Sequence, residues 1–299
     1  MKFRIAVCLS VFLGFGLSNN AGAVAVLTPY AVTQGYRLST FVDQIPNSGG
    51  AGPVGILPIS GSNIMISGYA SGEVRVFKGI DNQHWLNSIS NAGGYGANSP
   101  AGLAEVSGKY YMAKQAGSQV VQINVDGSFN QLISNGPVNA TGLIPSSTAG
   151  HLLISNGYST LDLNIATQTI TTFVNQPTDG IVFSPDGQTV YGASGGHILG
   201  FNATTKLQTF DSGLITGTPD GVSIGAGSLS GNLFVNTNSG DLIQVNIANP
   251  TIQNVLVTGG SRGDLVASDL NNGSMLFTQT DSVLRLTAPP GGGFGAVCQ

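Results

Sequence analysis

The chain of 299 residues is long enough for one large domain or two ordinary ones, and 41% hydrophobic residues suffice for a sizeable core. Only 8% of the residues are charged, with 10 basic against 14 acidic side chains, which excludes the basic face that nucleic-acid binding needs. The polar character comes instead from Asn, Ser, Thr, Gln and 44 Gly, a composition typical of turns and short strands.

The first residues have the pattern of a secretory signal peptide. Lys2 and Arg4 precede an apolar stretch over residues 5–17, and small residues then permit cleavage after Ala23. The apolar stretch is shorter than the roughly 20 residues of a membrane-spanning helix. We therefore expect residues 1–23 to be removed and the mature protein to be exported to the periplasm or outside the cell, with no membrane attachment. Cys298 would then be its only cysteine, which excludes an internal disulfide.

The rest of the chain repeats one pattern: a Gly or Asp, a short apolar run, a turn rich in Gly, Asn and Ser, and a second apolar run. The residues that mark the start of each copy lie 38 to 47 positions apart. They are Gly55, Gly102, Gly142, Gly180, Gly221 and Asp264. A period of about 40 to 45 residues with several short strands is typical of a β-propeller blade. The six copies predict an all-β, six-bladed β-propeller over residues 24–288.

The fourth copy shows the strands most clearly, and the two ends of the chain indicate how the ring closes. Its predicted strands are 181–183, 189–193, 197–201 and 207–210. The last copy lacks an outer strand, because its third strand runs into a Pro/Gly-rich segment that cannot continue a ladder. Residues 36–42 match the outer-strand pattern, so we expect this N-terminal strand to pair with the last blade and close the ring. Residues 289–299 are then expected to form a flexible tail.

Three acidic residues stand where the innermost strands of blades four, five and six begin: Asp179, Asp220 and Asp264. In a propeller these positions converge on the mouth of the central channel. Carboxylates that converge repel one another unless a cation lies between them, and oxygen ligands suit Ca²⁺ best, or Mg²⁺. The three residues are therefore candidate metal ligands. The alternative is that each Asp only forms a turn with the residue that follows it.

The stretches PTDGIVFSPDGQTVYGAS (177–194) and TPDGVSIGAGSLSGNLFVNTNSGDLIQV (218–245) resemble repeats of the SMP-30/gluconolactonase family and, more loosely, those of YVTN-type propellers and virginiamycin B lyase. The resemblance implies a six-bladed propeller and a lactonase or phosphotriesterase with one divalent metal held by a Glu, an Asn and an Asp. Asp220 matches the metal-binding Asp, and Asp179 stands at the Asn position. The position of the Glu is taken by Ala51 or, by strand spacing, by Val54.

We therefore expect a monomeric propeller that binds a small polar ligand or a divalent cation, without catalysis, at the channel mouth. Asn156, Asn236 and Asn238 lie in loops or strand ends expected on the same face and are the candidate ligand-binding residues. One alternative is a metal-dependent lactonase or esterase, and another is a surface module that binds a protein partner. The tripeptide Arg262-Gly263-Asp264 resembles an integrin-binding motif, but the repeat explains it equally well.

Overall fold

The structure is a computed structural model that describes residues 24–136 and 139–295. The predicted signal peptide and Cys298 lie outside the described residues. In the described part of the chain no helix is long and apolar enough to cross a membrane.

Short apolar runs bounded by Gly and Asn form the strands, as the repeats predict. The described chain begins with β1 (Val26–Leu27), helix α1 (Pro29–Gln34) and β2 (Arg37–Asp43). Blade 1 contains β3 (Pro53–Ile59), β4 (Asn63–Gly68), β5 (Glu73–Lys78) and, after the short β6 (Gln83–His84), β7 (Ser90–Ala92). Blade 2 contains β8 (Pro100–Val106), β9 (Lys109–Lys114), β10 (Gln119–Ile123) and β11 (Phe129–Asn135). Single turns of 3-10 helix span Ser60–Ser62 and Trp85–Asn87.

The remaining blades follow the same order. Blade 3 contains β12 (Gly142–Pro145), β13 (His151–Ser155), β14 (Thr160–Asn164) and β15 (Ile170–Val174). Blade 4 contains β16 (Ile181–Phe183), β17 (Thr189–Ser194), β18 (His197–Asn202) and β19 (Gln208–Asp211). Blade 5 contains β20 (Pro219–Gly227), β21 (Asn232–Thr237), β22 (Leu242–Asn246) and β23 (Gln253–Thr258). Blade 6 contains β24 (Val266–Asp269), β25 (Ser274–Thr278) and β26 (Val283–Thr287), and β27 (Gly292–Phe294) ends the described chain.

The innermost strand of every blade contacts the innermost strand of the next, and β24 of blade 6 contacts β3 of blade 1. Six sheets, antiparallel apart from a short parallel pairing of β2 with β6, therefore form a closed ring around a central channel, and the predicted six-bladed β-propeller is confirmed. Apolar side chains fill the space between neighbouring sheets. Tyr191 of blade 4, for example, belongs to the same buried cluster as Val222 and Val235 of blade 5.

The marker glycines lie where the innermost strands approach most closely. A Cβ atom on Gly180 would lie 2.5 Å from the carbonyl oxygen of Asp220, and one on Gly221 would lie 2.8 Å from the backbone of Leu265. Any larger residue would force neighbouring inner strands apart, because the atoms it meets belong to the backbone and cannot move aside as a side chain can. This close approach explains why a glycine begins most copies of the repeat.

The N-terminal strand closes the ring as predicted. β2 pairs antiparallel with β26, with Leu38 opposite Leu286. Beside this pairing, the buried Arg285 binds Asp269 of blade 6 at 2.9 Å and Asp81 of the segment between β5 and β6 at 2.7 Å. The ring is therefore joined by backbone pairing and by a buried ionic network.

The C-terminal tail differs from the expectation of a flexible segment as far as residue 295. β27 pairs antiparallel with β20, and Phe294 is buried. The ring of Phe294 packs edge-to-face against Phe234, with centroids 4.8 Å apart. Glycine permits this contact, since a Cβ on Gly292 would lie 2.9 Å from the side chain of Leu229. The Pro/Gly-rich composition indicated a flexible tail. Composition alone does not show that Phe294, which follows these residues, is buried against Phe234.

Candidate functional site

Asp179, Asp220 and Asp264 line one pocket of ≈ 210 Å³ at the mouth of the central channel. Asp179 lies two residues before β16, Asp220 is the second residue of β20, and Asp264 lies two residues before β24. Inner strands enter the ring at equivalent positions, so residues that are far apart in sequence meet at the axis. The structure thus brings the three sequence-predicted residues together.

Uncharged polar side chains complete the pocket on the side of blades 1 to 3. Tyr69, Gln115, Asn139 and Thr141 all line it. The Gln115 side-chain amide donates to Asn139 Oδ1 at 2.6 Å, and the Thr141 hydroxyl donates to Asp179 Oδ1 at 3.0 Å. One wall of the pocket is therefore acidic, and the other offers hydrogen-bonding amides and hydroxyls.

Arg262 is the residue that sequence reasoning missed. Its Nη2 donates to Asp264 Oδ1 at 2.6 Å and lies 3.9 Å from Asp220 Oδ2, while its Nε donates to Asn238 Oδ1 at 2.9 Å. Residues two apart in extended chain share a face, so the spacing of Arg262 and Asp264 could have indicated this pair. The chain itself supplies a cation among the three carboxyl groups.

Burial raises the pKa of all three carboxyl groups. The pKa of Asp264 is raised to about 6 by burial, against the opposing effect of Arg262. Burial is also the largest cause for Asp179 and Asp220, whose side chains are in hydrogen-bonding contact, and the negative charge of Asp179 raises the pKa of Asp220 further. When two carboxyl groups are in contact, the negative charge of one opposes ionisation of the other. A proton shared between Asp179 and Asp220 is therefore favoured.

The pocket lacks part of the metal-ligand set that the resemblance implies. Ala51 and Val54, at the position of the expected Glu, both line the pocket and carry no ligand atom in their side chains. The guanidinium of Arg262 stands beside Asp220 and Asp264, where a metal would have to bind. Within residues 24–136 and 139–295 no group of three or more His, Cys, Asp or Glu side chains is arranged to hold a metal ion. Metal binding by the three aspartates stays a prediction.

Of the three asparagines predicted to bind a ligand, only Asn238 contacts the site, through Arg262. Asn156 uses Oδ1 to accept from the backbone N–H groups of Tyr158 and Ser159, which fixes its own turn. Asn236 is fully buried and donates to the carbonyl oxygens of Leu265 and Thr278, which joins blades 5 and 6. Neither Asn156 nor Asn236 lines the pocket. The sequence placed them near the channel mouth but could not show that the fold already uses their amides.

The closed ring and its channel define the class of the protein as a six-bladed β-propeller. The fold is similar to that of a gluconolactonase from Xanthomonas campestris, with a TM-score of 0.68 and 15% identity over 89% of this chain and 95% of that chain. It is also similar to a luciferin-regenerating enzyme, with a TM-score of 0.63 and 13% identity over 92% of this chain and 99% of that chain. An inactive variant of virginiamycin B lyase from Staphylococcus aureus with quinupristin gives a TM-score of 0.56 and 15% identity, over 84% of this chain and 99% of that chain.

Identities this low show a shared fold alone. No family model matches the sequence, and no curated protein matches it. The resemblance noted in the repeats is therefore confirmed for the propeller architecture, and the activity is a separate question.

Proposed function

We propose that the protein binds a small cationic ligand at the channel mouth, without catalysing a reaction. The observation that carries this proposal is the charge of the pocket: three carboxyl groups meet one guanidinium group. With one proton shared by Asp179 and Asp220, one negative charge is left without a partner, and release of that proton leaves two. An incoming cation offsets them, and its attraction is stronger in this buried position than it would be in bulk water.

The rest of the pocket suits an organic cation better than a bare metal ion. Gln115, Asn139 and Thr141 are neutral hydrogen-bonding groups, which position polar ligands. A pocket of ≈ 210 Å³ admits a group of a few heavy atoms, such as a protonated amine. A divalent cation, with Ca²⁺ as the best candidate, is the alternative occupant.

The experiment is calorimetric titration of the mature protein with ethylammonium chloride and, separately, with calcium chloride at pH 8. Binding of either cation that weakens at least tenfold in Asp220→Asn supports the proposal. The cation that binds with the higher affinity identifies the type of ligand. The matched control is Asp281→Asn, an exposed acid outside the pocket, which should bind like the wild type. Binding of neither cation, or equal binding by Asp220→Asn, would contradict the proposal.

A metal-dependent lactonase or esterase is the second candidate. The likeness in fold to a gluconolactonase and a lyase favours it, and so does the Asp179–Asp220 carboxyl pair, which can exchange protons with a substrate. Lactone hydrolysis that is abolished by a chelator and restored by Ca²⁺, Mn²⁺ or Zn²⁺ would establish this function in place of simple binding. A role in binding a protein partner is the third candidate, and pull-down with Asp220→Ala tests whether the pocket takes part.

Export to the periplasm or the extracellular space is proposed from the signal-like residues 1–23. N-terminal sequencing of the protein recovered outside the cytoplasm tests it. A chain that begins at Val24 there supports export, and a chain that keeps Lys2 and Arg4 contradicts cleavage.

A further inference from the structure

We infer that the ligand is an amphipathic amine, whose charged end lies among the aspartates and whose hydrocarbon chain lies in the central channel. This inference rests on the proposed function, because it names the ligand class of the same site. It comes from a second cavity that the sequence did not predict.

The second cavity measures ≈ 650 Å³ and occupies the channel. Every blade contributes an aliphatic side chain to its wall. These are Leu57, Leu103, Ile144, Val182, Val222 and Leu265. The volume lies within the range of about 300 to 1,000 Å³ typical of small-molecule sites.

The cavity and the acidic pocket adjoin each other, since Gly142 and Leu265 line both. The change from polar to apolar follows the inner strands. Asp264 is followed directly by Leu265, and Asp220 is followed two residues later by Val222. A strand rises about 3.3 Å per residue, so the acidic and aliphatic regions lie within roughly 10 Å of each other along the axis. One molecule of modest length can contact both.

The aliphatic wall determines the chemistry of the inner part of the ligand. Water in a cavity needs two to four polar partners, and this wall, which is mostly aliphatic, offers few. The hydroxyls of Ser223 and Ser268 bond to each other at 2.8 Å. The other polar side chains of the lining lie at or beyond the ends of the inner strands, away from the acidic pocket: Ser60, Glu105 and Asn271. Glu105 is the one ionisable residue in the described lining of this cavity, and it is half-buried near the end of β8. The occupant is therefore uncharged and apolar in the channel, and cationic only at the channel mouth.

The experiment is calorimetric titration with linear primary amines from ethylamine to octylamine, as hydrochlorides at pH 8, below the concentrations at which they form micelles. Burial of each methylene group should raise the affinity roughly fourfold until the channel is filled. 1-Octanol and octanoate, which have the same chain without the cation, should bind at least tenfold more weakly than octylamine.

Two variants locate the two ends of the ligand. Val182→Thr changes the channel wall with little change in volume, and it should weaken octylamine severalfold but leave ethylamine unchanged. Asp220→Asn should weaken both amines. The matched control, Ile252→Thr, alters an exposed aliphatic residue outside the channel and should change neither.

The outcomes separate this inference from the proposed function. Amine affinity that does not depend on chain length would overturn the amphipathic ligand and leave the cation site intact. Absence of amine binding at every length would overturn the inference, and it would overturn the proposed function as well if Ca²⁺ does not bind either. Equal affinity for octylamine and 1-octanol, unchanged in Asp220→Asn, would show that the channel binds hydrocarbon without using the acids, which also overturns the inference.

Discussion

Arg262 and Asp264 lie two residues apart in the segment that leads into β24, and the arginine donates a 2.6 Å hydrogen bond to the aspartate. The same guanidinium lies 3.9 Å from Asp220. The positive charge among the converging carboxyl groups thus comes from the segment that supplies one of those groups. An external cation has to share the carboxylates with Arg262.

Replacing Arg262 should therefore strengthen cation binding. In Arg262→Gln the carboxylates lose their internal partner, and we expect the affinity for ethylammonium or Ca²⁺ to rise about tenfold, because an arginine at this distance competes directly for the same charges. The arginine side chain is 41% exposed, so the free energy of unfolding should fall by only about 1 kcal/mol. Calorimetric titration and urea unfolding measure the two effects. Arg37→Gln, at an exposed position away from the pocket, is the control, and an unchanged or lower affinity in Arg262→Gln would contradict the competition.

The raised pKa of Asp264 predicts that stability falls as the pH rises. Its pKa is about 6 in the folded protein against 3.8 ordinarily, so the folded state holds the proton more tightly than the unfolded state. The stabilisation from protonation is complete below pH 4 and is lost as the pH rises through about 6, with a magnitude of about 3 kcal/mol. Burial of Asp179 and Asp220 acts in the same direction.

The measurement is urea unfolding between pH 4 and pH 7, with Asp264→Asn compared with the wild type. The variant cannot ionise at this position, so its loss of stability over that range should be smaller by about 2 kcal/mol, the part of the full effect that falls between these two pH values. Asp281→Asn should keep the wild-type dependence. Parallel curves for the wild type and Asp264→Asn would show that Asp264 does not titrate in this range.

Loss of Arg285 should destabilise the closure of the ring. The side chain of Arg285 is 6% exposed, binds Asp269 and Asp81, and packs on the ring of Phe41 with 5.0 Å between the guanidinium and the ring centroid. Arg285→Met leaves the buried Asp269 without its cation, which costs about 3 to 5 kcal/mol. Urea unfolding measures the loss, with Arg37→Met as the exposed control. A loss below about 1 kcal/mol would mean that this network contributes little to closure.

The buried phenylalanine of the tail should contribute to stability like a core residue. Phe294→Ala removes the contact with Phe234 and leaves a cavity, and we expect a loss of about 3 kcal/mol in the free energy of unfolding. Leu270→Ala, at a side chain that is 56% exposed, should change stability by less than about 0.5 kcal/mol. Equal effects of the two substitutions in thermal and urea unfolding would contradict the anchoring role of Phe294.

The repeat carried most of the information about the fold. Hydrophobic periodicity and turn residues are local, and they predicted every end of the four strands of blade 4 to within one residue. Ring closure by β2 was also predictable, because an incomplete last blade and an unassigned first strand complement each other. The position of Phe294 depends on contact with a residue 60 positions earlier, and no local pattern records such a contact.

The site was also predicted only in part, because some of its contacts leave no local pattern in the sequence. The convergence of Asp179, Asp220 and Asp264 follows from the symmetry of the blades, since each occupies an equivalent entry position. The contribution of Arg262 depends on the direction of a long side chain, which symmetry does not fix. Likewise, the buried amide of Asn236 looks like a loop donor in the sequence, whereas its hydrogen-bond partners come from blade 6.

The pairing of β2 with β26 has a consequence for biosynthesis. The two strands are separated by more than 200 residues. After β2 leaves the ribosome, its edge therefore stays unpaired until nearly the whole polypeptide has been made. Blades 1 to 5 can assemble in order as they emerge, but the last blade cannot. A nascent chain arrested before residue 283 would therefore present unsatisfied backbone groups at both ends of the partial ring, and these are the surfaces on which a chaperone or a second nascent chain would act.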